Sequence, residues 1–273
     1  MSDRSGILPN SPLVYAIASV RFAQLALLPN KMPEIHEKLR AVAPVLQHVQ
    51  QQMRVMLPGV VNPPETATQA WLMMSSDRSF GAQLGTEQIL FFTLKYQRFA
   101  GFHAFVSECL QVLFDEMKFL DVTALGVRYV DHIKASHDDR LADYISTAFL
   151  TPTVPSFDSA GGLSQFAYGI EGGQLRVRSI HTTEAFSIPI DLIGLVGTIR
   201  GATQPLTLTP LQPNEMLLDI DAFTNYPQPR RIELREIQAG LDNLHKRANA
   251  FFRHEAVCTD HAFAVWKGGE NVR

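Results

Sequence analysis

The run Leu125-Gly126-Val127-Arg128-Tyr129-Val130-Asp131-His132-Ile133 is the stretch on which the predicted fold depends most. At the two-residue period of a β-strand, one face carries Val127, Tyr129, Asp131 and Ile133, and the other carries Gly126, Arg128, Val130 and His132. Each face therefore combines apolar bulk with an ionisable side chain. Because polar groups in a core strand need partners, this run predicts either satisfied pairs or functional groups around it.

The segments around this strand predict a first lobe over residues 1–136. Apolar spacing and turn residues predict, in chain order, a strand over 13–22, a helix over 31–53 that Pro44 kinks or divides into two shorter helices, three short strands between 69 and 96, and a helix over 99–119. The run at 122–134 is then the returning strand. This is the split β-α-β order of ferredoxin-like folds, in which one antiparallel sheet carries both helices on a single face.

A second lobe is predicted over residues 137–273. Its elements are a short helix at 138–150, a hairpin across Gly172-Gly173, further strands at 185–195 and 216–223, and a long helix at 231–253. The apolar face of the long helix must cover the second sheet or a partner. The predicted fold class is therefore α+β, with two fused antiparallel sheets that are each covered by helices on one face.

Composition limits the compartment and the partners. Of the 273 residues, 46% are hydrophobic and 19% are charged, so the chain is long enough to bury a sizeable core. The net charge of −3 gives no general attraction to nucleic acid or anionic lipid, although a local basic groove stays open. Cys109 and Cys258 lie in apolar patterns, which predicts no disulfide framework and a cytoplasmic location. No apolar run reaches the roughly 20 residues of a membrane span, and the polar N-terminus predicts no secretion signal.

Two carboxylates on one predicted strand are candidates for metal binding. Asp219 and Asp221 project from the same strand face, with Glu215 nearby as a third oxygen ligand. Carboxylates this close can share a divalent cation that activates water for phosphoester hydrolysis. The alternative is a solvated face opposite a buried one, which needs no metal.

A second candidate metal set lies near the C-terminus. His254, Cys258 and His261 are spaced four and three, so they share one side if helix continues past Arg253. Such a side can ligate zinc, but a tetrahedral site needs a fourth ligand from elsewhere. Ordinary packing near a helix end, with Cys258 as a small core residue, is the alternative. No cofactor is predicted, because no phosphate-binding glycine loop or dinucleotide motif is present.

Two arginines on predicted strands form a candidate anion site. In a split β-α-β sheet the first and last strands are neighbours, so Arg21 and Arg128 come close if their register and parity agree. Paired guanidinium groups predict binding of a phosphate or another oxyanion. The alternative is that each arginine pairs with a carboxylate such as Asp131 or Glu108, or points into water.

Aromatic and basic residues mark two candidate surfaces for a partner. Trp71 and Tyr129, together with Phe91, would offer an aromatic sheet face that stacks on bases or packs against a protein. Basic residues cluster along the terminal helix and include Arg231, Arg235, Lys246 and Arg247. A basic helical face either contacts nucleic acid or is simply solvated.

Three segments together resemble a sporadically distributed bacterial protein family of unknown function. They are Pro12-Leu13-Val14 leading to Val20-Arg21-Phe22, the central Leu125-Gly126-Val127-Arg128-Tyr129-Val130, and Leu218-Asp219-Ile220-Asp221 followed by Leu244-His245 and Phe251-Phe252. The resemblance spans most of the chain in order and implies a bacterial cytoplasmic protein with a two-lobed layout. It supplies no catalytic residues to carry over. The sporadic distribution is compatible with an accessory role such as phage defence.

The sequence contains no recognisable catalytic motif, which favours a binding or interaction protein over an enzyme. We expect a protein partner, with nucleic acid as the alternative, no membrane contact, and a homodimer left open. The competing prediction is a metal-dependent phosphoester hydrolase. In that enzyme Asp219 and Asp221 would bind the ion, and Arg21 or Arg128 would hold the phosphate.

Overall fold

The structure is a computed structural model that describes residues 4–54, 65–96, 98–136, 138–201 and 206–268. Within these residues the chain is α+β. The strands are β1 (Leu13–Phe22), β2 (Val45–Arg54), β3 (Glu65–Met74), β4 (Phe80–Gly85), β5 (Gln88–Thr93), β6 (Asp121–Lys134), β7 (Leu163–Ile170), β8 (Gly173–Ile180) and β9 (Glu215–Arg231). The α-helices are α1 (Leu28–Leu39), α2 (Phe99–Met117), α3 (Leu141–Tyr144), α4 (Ile193–Arg200), α5 (Leu234–Phe252) and α6 (Asp260–Trp266). No helix in this described part of the chain combines the length and apolar character that crossing a membrane requires.

All nine described strands belong to one antiparallel sheet, in the order β2-β3-β4-β5-β1-β6-β9-β8-β7. The α+β class is therefore confirmed, whereas the two separate sheets and the ferredoxin-like order are not found. The difference arises at β6, which was expected to close the first sheet. This strand has β1 on one side and β9 on the other, so strands from both halves of the chain join a single sheet.

The predicted helix over 31–53 is only partly correct. Helix α1 ends at Leu39 and β2 begins at Val45. Pro44 lies between them, and its missing N–H and fixed φ do not suit a helix interior. The apolar spacing after Pro44 fits a helix, but pairing with β3 decides the structure, since Val45 lies opposite Met74. Strand pairing therefore outweighs local periodicity here.

The predicted strand over 185–195 is wrong. Pro189 is followed by a 3₁₀ turn over Ile190–Leu192, and α4 begins at the next residue. Proline is favourable at the start of a helical segment because its missing N–H is not needed there. Asp191 consequently lies in an exposed helical turn.

The chain divides into two compact units, each made of discontinuous stretches. The first unit comprises Met1–Ala16, Val127–Thr224 and Asp242–Arg273, and the second comprises Ile17–Gly126 and Asn225–Leu241. This division differs from the single boundary after residue 136 that the sequence predicted. Strands β1, β6 and β9 and helix α5 each contribute residues to both units, so no single boundary along the chain separates them.

Each unit has its own aromatic core. In the second unit, the Phe105 ring of α2 meets Phe80 and Phe91 edge to face, with ring centroids 4.9 and 6.4 Å apart. In the first unit, Phe252 stacks on Trp266 at 5.4 Å. Burying one such side chain contributes about 1.5–3 kcal/mol, so these rings are a major part of what holds helices on the sheet.

The predicted hairpin across Gly172-Gly173 is present as β7 and β8. Ile170 lies opposite Gly173, and Gly172 in the turn has φ of +74°, a conformation that favours glycine. The next pairing, of β8 with β9, places Arg178 opposite Asp219 and Arg176 opposite Asp221. Residues directly opposite one another project from the same sheet face, so each of these arginines has an aspartate beside it on the neighbouring strand.

Candidate functional site

Strand β7 is an edge strand of the sheet. It is the last strand in the sheet order, with β8 as its only neighbour among the described strands. At its start, the His181 N–H donates to the Gly162 carbonyl at 3.0 Å, which makes these two residues a hydrogen-bonded pair. Such pairs recur every second residue in an antiparallel ladder. The even-numbered residues of β7 therefore bond to β8, and the odd-numbered residues point their N–H and C=O groups away from the sheet.

The outward-facing backbone groups of β7 are available for pairing. They belong to Leu163, Gln165, Ala167 and Gly169, and no partner for them is found among the described residues. All four residues are exposed, with Leu163 retaining 65% of its accessible surface. Native proteins usually protect such an edge with lysine, proline or a bulge, but the segment Leu163–Ile170 contains no charged residue and no proline.

The two faces of β7 differ in chemistry. On one face, Phe166 packs against Phe149 and Tyr168 against Phe251 of α5, each with ring centroids 5.2 Å apart. On the other face, Ala167 lies opposite Arg176, whose guanidinium sits 5.0 Å from the centre of the Phe223 ring. A strand added at this edge would meet aromatic surface on one side and an exposed arginine on the other.

A network of two arginines and two aspartates lies on the sheet face that carries the arginines of β8 and the aspartates of β9. Arg128 of β6 donates from Nε and Nη2 to the two oxygens of Asp219 at 2.8 and 2.9 Å. Its Nη1 and Nη2 also reach Asp191 at 2.5 and 3.1 Å. Arg178 contacts the same Asp219 at 2.5 Å and Asp191 at 3.6 Å. Each guanidinium therefore bridges a buried carboxylate and an exposed one.

Ion pairing favours the charged forms of Arg128 and Asp191 against the effect of their partial burial. The Asp219 side chain is fully buried, whereas 47% of the Asp191 side chain is exposed. Burial opposes the charge on Arg128, but hydrogen bonds to Asp219 and Asp191 outweigh burial and raise the pKa of Arg128. Partial burial also opposes ionisation of Asp191, yet hydrogen bonds from Arg128 lower its pKa. Removing one partner from a buried ion pair typically costs about 3–5 kcal/mol, because the other charge is then left buried and unpaired.

Two further carboxyl groups lie close to the network. Burial, with a smaller contribution from the charge of Asp219, raises the pKa of Asp131 from an ordinary value near 3.8 to about 8. Burial likewise raises the pKa of Asp221, and the nearby Arg128 charge opposes that rise. Asp131 is 4% exposed and is held largely as the neutral acid at pH 7.

The second unit contains a separate cleft of about 650 Å³. It lies where β4, the end of β5 and the start of α2 meet. The lining combines aromatic and charged side chains and includes Phe80, Tyr96, Phe102 and Phe105 together with Asp77, Lys95 and Arg98. Lys95 donates to Asp77 at 2.9 Å, and Asp77 also accepts from the hydroxyls of Ser75 and Ser79. Hydrogen bonds from Ser79 and Lys95 lower the pKa of Asp77, which is therefore ionised.

The predicted metal residues are surrounded by other groups. Both oxygens of Asp219 accept from guanidinium groups, so a cation there would have to displace Arg128 and Arg178. Cys258 is fully buried, and His261 lies 3.1 Å from Asp139. Within the ranges that the structure describes, no group of three or more His, Cys, Asp or Glu residues is arranged to hold a metal ion.

The two arginines of the predicted anion site fall in different units. Arg21 is exposed on β1 in the second unit, and Arg128 belongs to the first unit. The alternative drawn from the sequence, pairing with carboxylates, holds for Arg128, although its partners are Asp219 and Asp191 and not Asp131 or Glu108. A joint anion site of Arg21 and Arg128 stays a prediction.

The aromatic partner surface is not open in the form predicted. Tyr129 is only 7% exposed, its ring packs against that of His245 on α5, and its hydroxyl hydrogen-bonds with Nδ1 of His245 at 2.7 Å. Phe91 is buried beneath α2. Trp71 is half-buried, with its ring centroid 5.5 Å from that of His48. Of the three aromatic residues, Trp71 alone keeps substantial exposure.

Most of the predicted basic residues at the terminal helix are ion-paired. Arg231, the last residue of β9, lies 3.2 Å from Asp121 and 3.6 Å from the centre of the Phe119 ring. Lys246 pairs with Asp242 at 2.6 Å, and Arg247 with Glu171 at 2.7 Å. Arg235 is exposed on α5. The charges are thus distributed among neighbouring carboxylates, which does not favour a continuous cationic surface for phosphates.

Two members of the charged network were missed from the sequence. The role of Arg178 could have been predicted from the sequence. Arginines alternate with an apolar residue in Arg176-Val177-Arg178, and aspartates do so in Asp219-Ile220-Asp221, so pairing of the two strands brings opposite charges together. Asp191 has no such signal, because the apolar spacing around it predicts a strand, whereas it reaches Arg128 from a 3₁₀ turn. The free edge of β7 was missed as well, because strand order cannot be deduced from alternation alone.

No model of a known protein family matches this chain, and no curated protein is significantly similar to it. The resemblance to a sporadically distributed bacterial family therefore stays a prediction.

Proposed function

We propose that this chain is a non-catalytic binding protein that takes up an extended segment of a partner protein at the free edge of β7. The observation that carries the proposal is the row of outward-facing N–H and C=O groups at Leu163, Gln165, Ala167 and Gly169. An added strand would satisfy these groups, which is how β-strand addition gains affinity in many recognition domains.

The chemistry around the edge specifies the partner segment. Apolar side chains at alternate positions would pack beside Phe166 and Tyr168 on the α5 side. Acidic side chains at the intervening positions would lie on the same sheet face as Arg176, the exposed residue opposite the small Ala167. We therefore commit to an extended segment that alternates apolar and acidic residues.

Two other occupants are less favourable. A second copy of β7 provides no acidic residue for Arg176, because the segment Leu163–Ile170 has none. Nucleic acid has no general attraction to a chain of net charge −3 whose basic residues Arg231, Lys246 and Arg247 are already paired with carboxylates. Both occupants are outcomes that the following experiment separates.

The test uses a proline substitution that removes one edge donor. Ala167→Pro deletes an outward N–H without deleting a bond to β8, and proline is tolerated in edge strands at such positions. Ala167→Val is the matched control, since it keeps the N–H and suits a strand. The probe is a synthetic peptide in which valine and glutamate alternate. The control peptide has the same composition, but its valines and glutamates stand in separate blocks. Circular dichroism and thermal melting check that both variants fold.

We expect the alternating peptide to bind wild type and Ala167→Val in fluorescence anisotropy, and binding to Ala167→Pro to fall by about tenfold or more. Arg176→Gln should weaken binding at low salt and remove part of the salt dependence. Equal binding of the two peptides, or unchanged binding to folded Ala167→Pro, would contradict the proposal. Self-association of the chain that Ala167→Pro abolishes would identify a second copy as the occupant and would overturn the proposal. Salt-dependent binding of an oligonucleotide in place of the peptide would overturn it as well.

A further inference from the structure

The 650 Å³ cleft of the second unit is independent of the β7 edge and has the lining of a small-molecule site. Its volume lies within the roughly 300–1,000 Å³ typical of ligand pockets, which combine apolar surface with a few placed polar groups. Strands β4 and β5 and the first turns of α2 form its walls, and the turn before β4 and the segment between β5 and α2 supply Asp77, Lys95 and Arg98.

Aromatic side chains form the apolar part of the cleft. Phe102 and Phe105 of α2 are nearly buried, and Phe80 meets Phe105 edge to face at 4.9 Å. Tyr96 approaches Phe102 edge to face at 6.5 Å. Rings arranged in this way present edges and faces to a guest ring, a geometry that aromatic pairs prefer over a direct sandwich.

The charged part of the cleft has an excess of cations. Lys95 and Arg98 line it on the basic side, and Asp77 is the single acidic residue in the lining. The Asp77 carboxylate is already engaged by Ser75, Ser79 and Lys95. Arg98 is exposed and has no ion-pair partner within the described ranges, so its donors are available to a ligand. An anion near Arg98 and Lys95 would complete the charge balance of the cleft.

We infer that this cleft binds a small organic anion in which a phosphate or carboxylate is attached to an aromatic ring. The ring contacts the phenylalanines, and the anionic group lies between Lys95 and Arg98. The two-part lining requires both halves of the ligand, because the cations by themselves are exposed and an exposed ion pair contributes only about 0–1 kcal/mol.

Two substitutions test the two halves separately. Gly101→Leu fills the cleft from α2, and the position accepts a side chain because nothing lies within 4 Å of a Cβ built there. Ala104→Leu is the matched control on the same helix, since Ala104 is exposed outside the cleft. Arg98→Gln removes the available cation, and Arg40→Gln removes an exposed arginine of the same unit that pairs with Glu37.

The probe is 1-naphthyl phosphate, measured by titration calorimetry with 1-naphthol and inorganic phosphate as its separate halves. A carboxylate arm uses 1-naphthoate. We expect saturable binding of the naphthyl anions that is lost in Gly101→Leu and weakened about fivefold in Arg98→Gln, with both control variants unchanged. The stronger of the two naphthyl anions identifies the anionic group.

Three outcomes would overturn the inference. They are no saturable binding of either naphthyl anion up to about 5 mM, binding of inorganic phosphate as tight as that of naphthyl phosphate, and binding to Gly101→Leu equal to that of wild type. Melting curves of all four variants establish that a loss of binding is not a loss of fold. None of these outcomes depends on whether a partner adds to β7.

Discussion

Asp131 illustrates how one residue on a buried strand acquires unusual properties. It shares a face of β6 with Val127 and Tyr129, both of which are buried. The loss of hydration penalises its charged form, and the negative Asp219 adds to that penalty. Arg128, the residue of β6 at the centre of the charged network, keeps its charge because two carboxylates accept its hydrogen bonds. Among the residues that the structure describes, Asp131 forms no ion pair, so burial dominates its pKa, whereas the ion pairs of Arg128 outweigh burial.

Asp131→Asn should change how stability depends on pH. Because the pKa of Asp131 is about 8 in the folded chain and near 3.8 when it is exposed, the folded state binds more protons between these values. Stability contributed by the neutral acid is therefore complete below about pH 4 and lost as pH rises to about 8, by up to about 1.4 kcal/mol per pH unit. Asparagine stays neutral, so the variant should gain stability over wild type as pH rises and then level off.

The measurement is urea denaturation of both proteins at intervals from about pH 5 to about pH 9. The difference in the free energy of unfolding is the quantity to plot, since shared titrations cancel in it. Two parallel curves would show that Asp131 ionises normally in the folded chain.

At the scale of elements, the β7–β8 hairpin determines how the edge of the sheet is presented. Its turn depends on Gly172, which has a positive φ, and its second strand begins at Gly173, close to the backbone of β9. The hairpin thus requires glycine at both places for different reasons. Gly172 adopts a positive φ, and Gly173 allows β8 to approach the backbone of β9 closely. Gly169 near the end of β7 has neither requirement, because nothing lies within 4 Å of a Cβ built there.

Gly173→Ala should destabilise the hairpin, whereas Gly169→Ala should not. A Cβ at position 173 would lie 2.3 Å from the Phe223 carbonyl oxygen and 2.9 Å from Thr224 Oγ1, so the backbone of β8 or β9 must shift. We expect a loss of about 1–3 kcal/mol for Gly173→Ala in chemical denaturation. Gly169→Ala should remain within about 0.5 kcal/mol of wild type. Equal stability of the two variants would mean that β8 does not approach β9 as closely as described.

At the scale of the whole molecule, each compact unit contains one buried cysteine. Cys109 of α2 belongs to the second unit, and Cys258 belongs to the first. Burial raises the pKa of both thiols, which keeps them protonated and unreactive in the folded chain. Each thiol therefore reports on the opening of its own unit.

A chromogenic disulfide reagent should react with neither thiol in native buffer and with both in denaturant, giving two thiols per chain. Cys109→Ala and Cys258→Ala each leave one reporter, so the urea dependence of labelling follows each unit separately. The control is a free small thiol, which reacts at once under all conditions. Labelling of either cysteine in native buffer at the rate of the small thiol would contradict its burial.

Residue patterns along the chain were sufficient for the α+β class and the hairpin at Gly172-Gly173, because side-chain period and turn chemistry are local properties. They were insufficient for the single sheet, the unpaired edge at β7 and the identity of the carboxylates around Arg128. Asp191 and Asp219 lie 63 and 91 positions from Arg128 along the chain. Alternation specifies which face of a strand a side chain occupies, but strand order and register decide its neighbours, and those depend on contacts between distant segments.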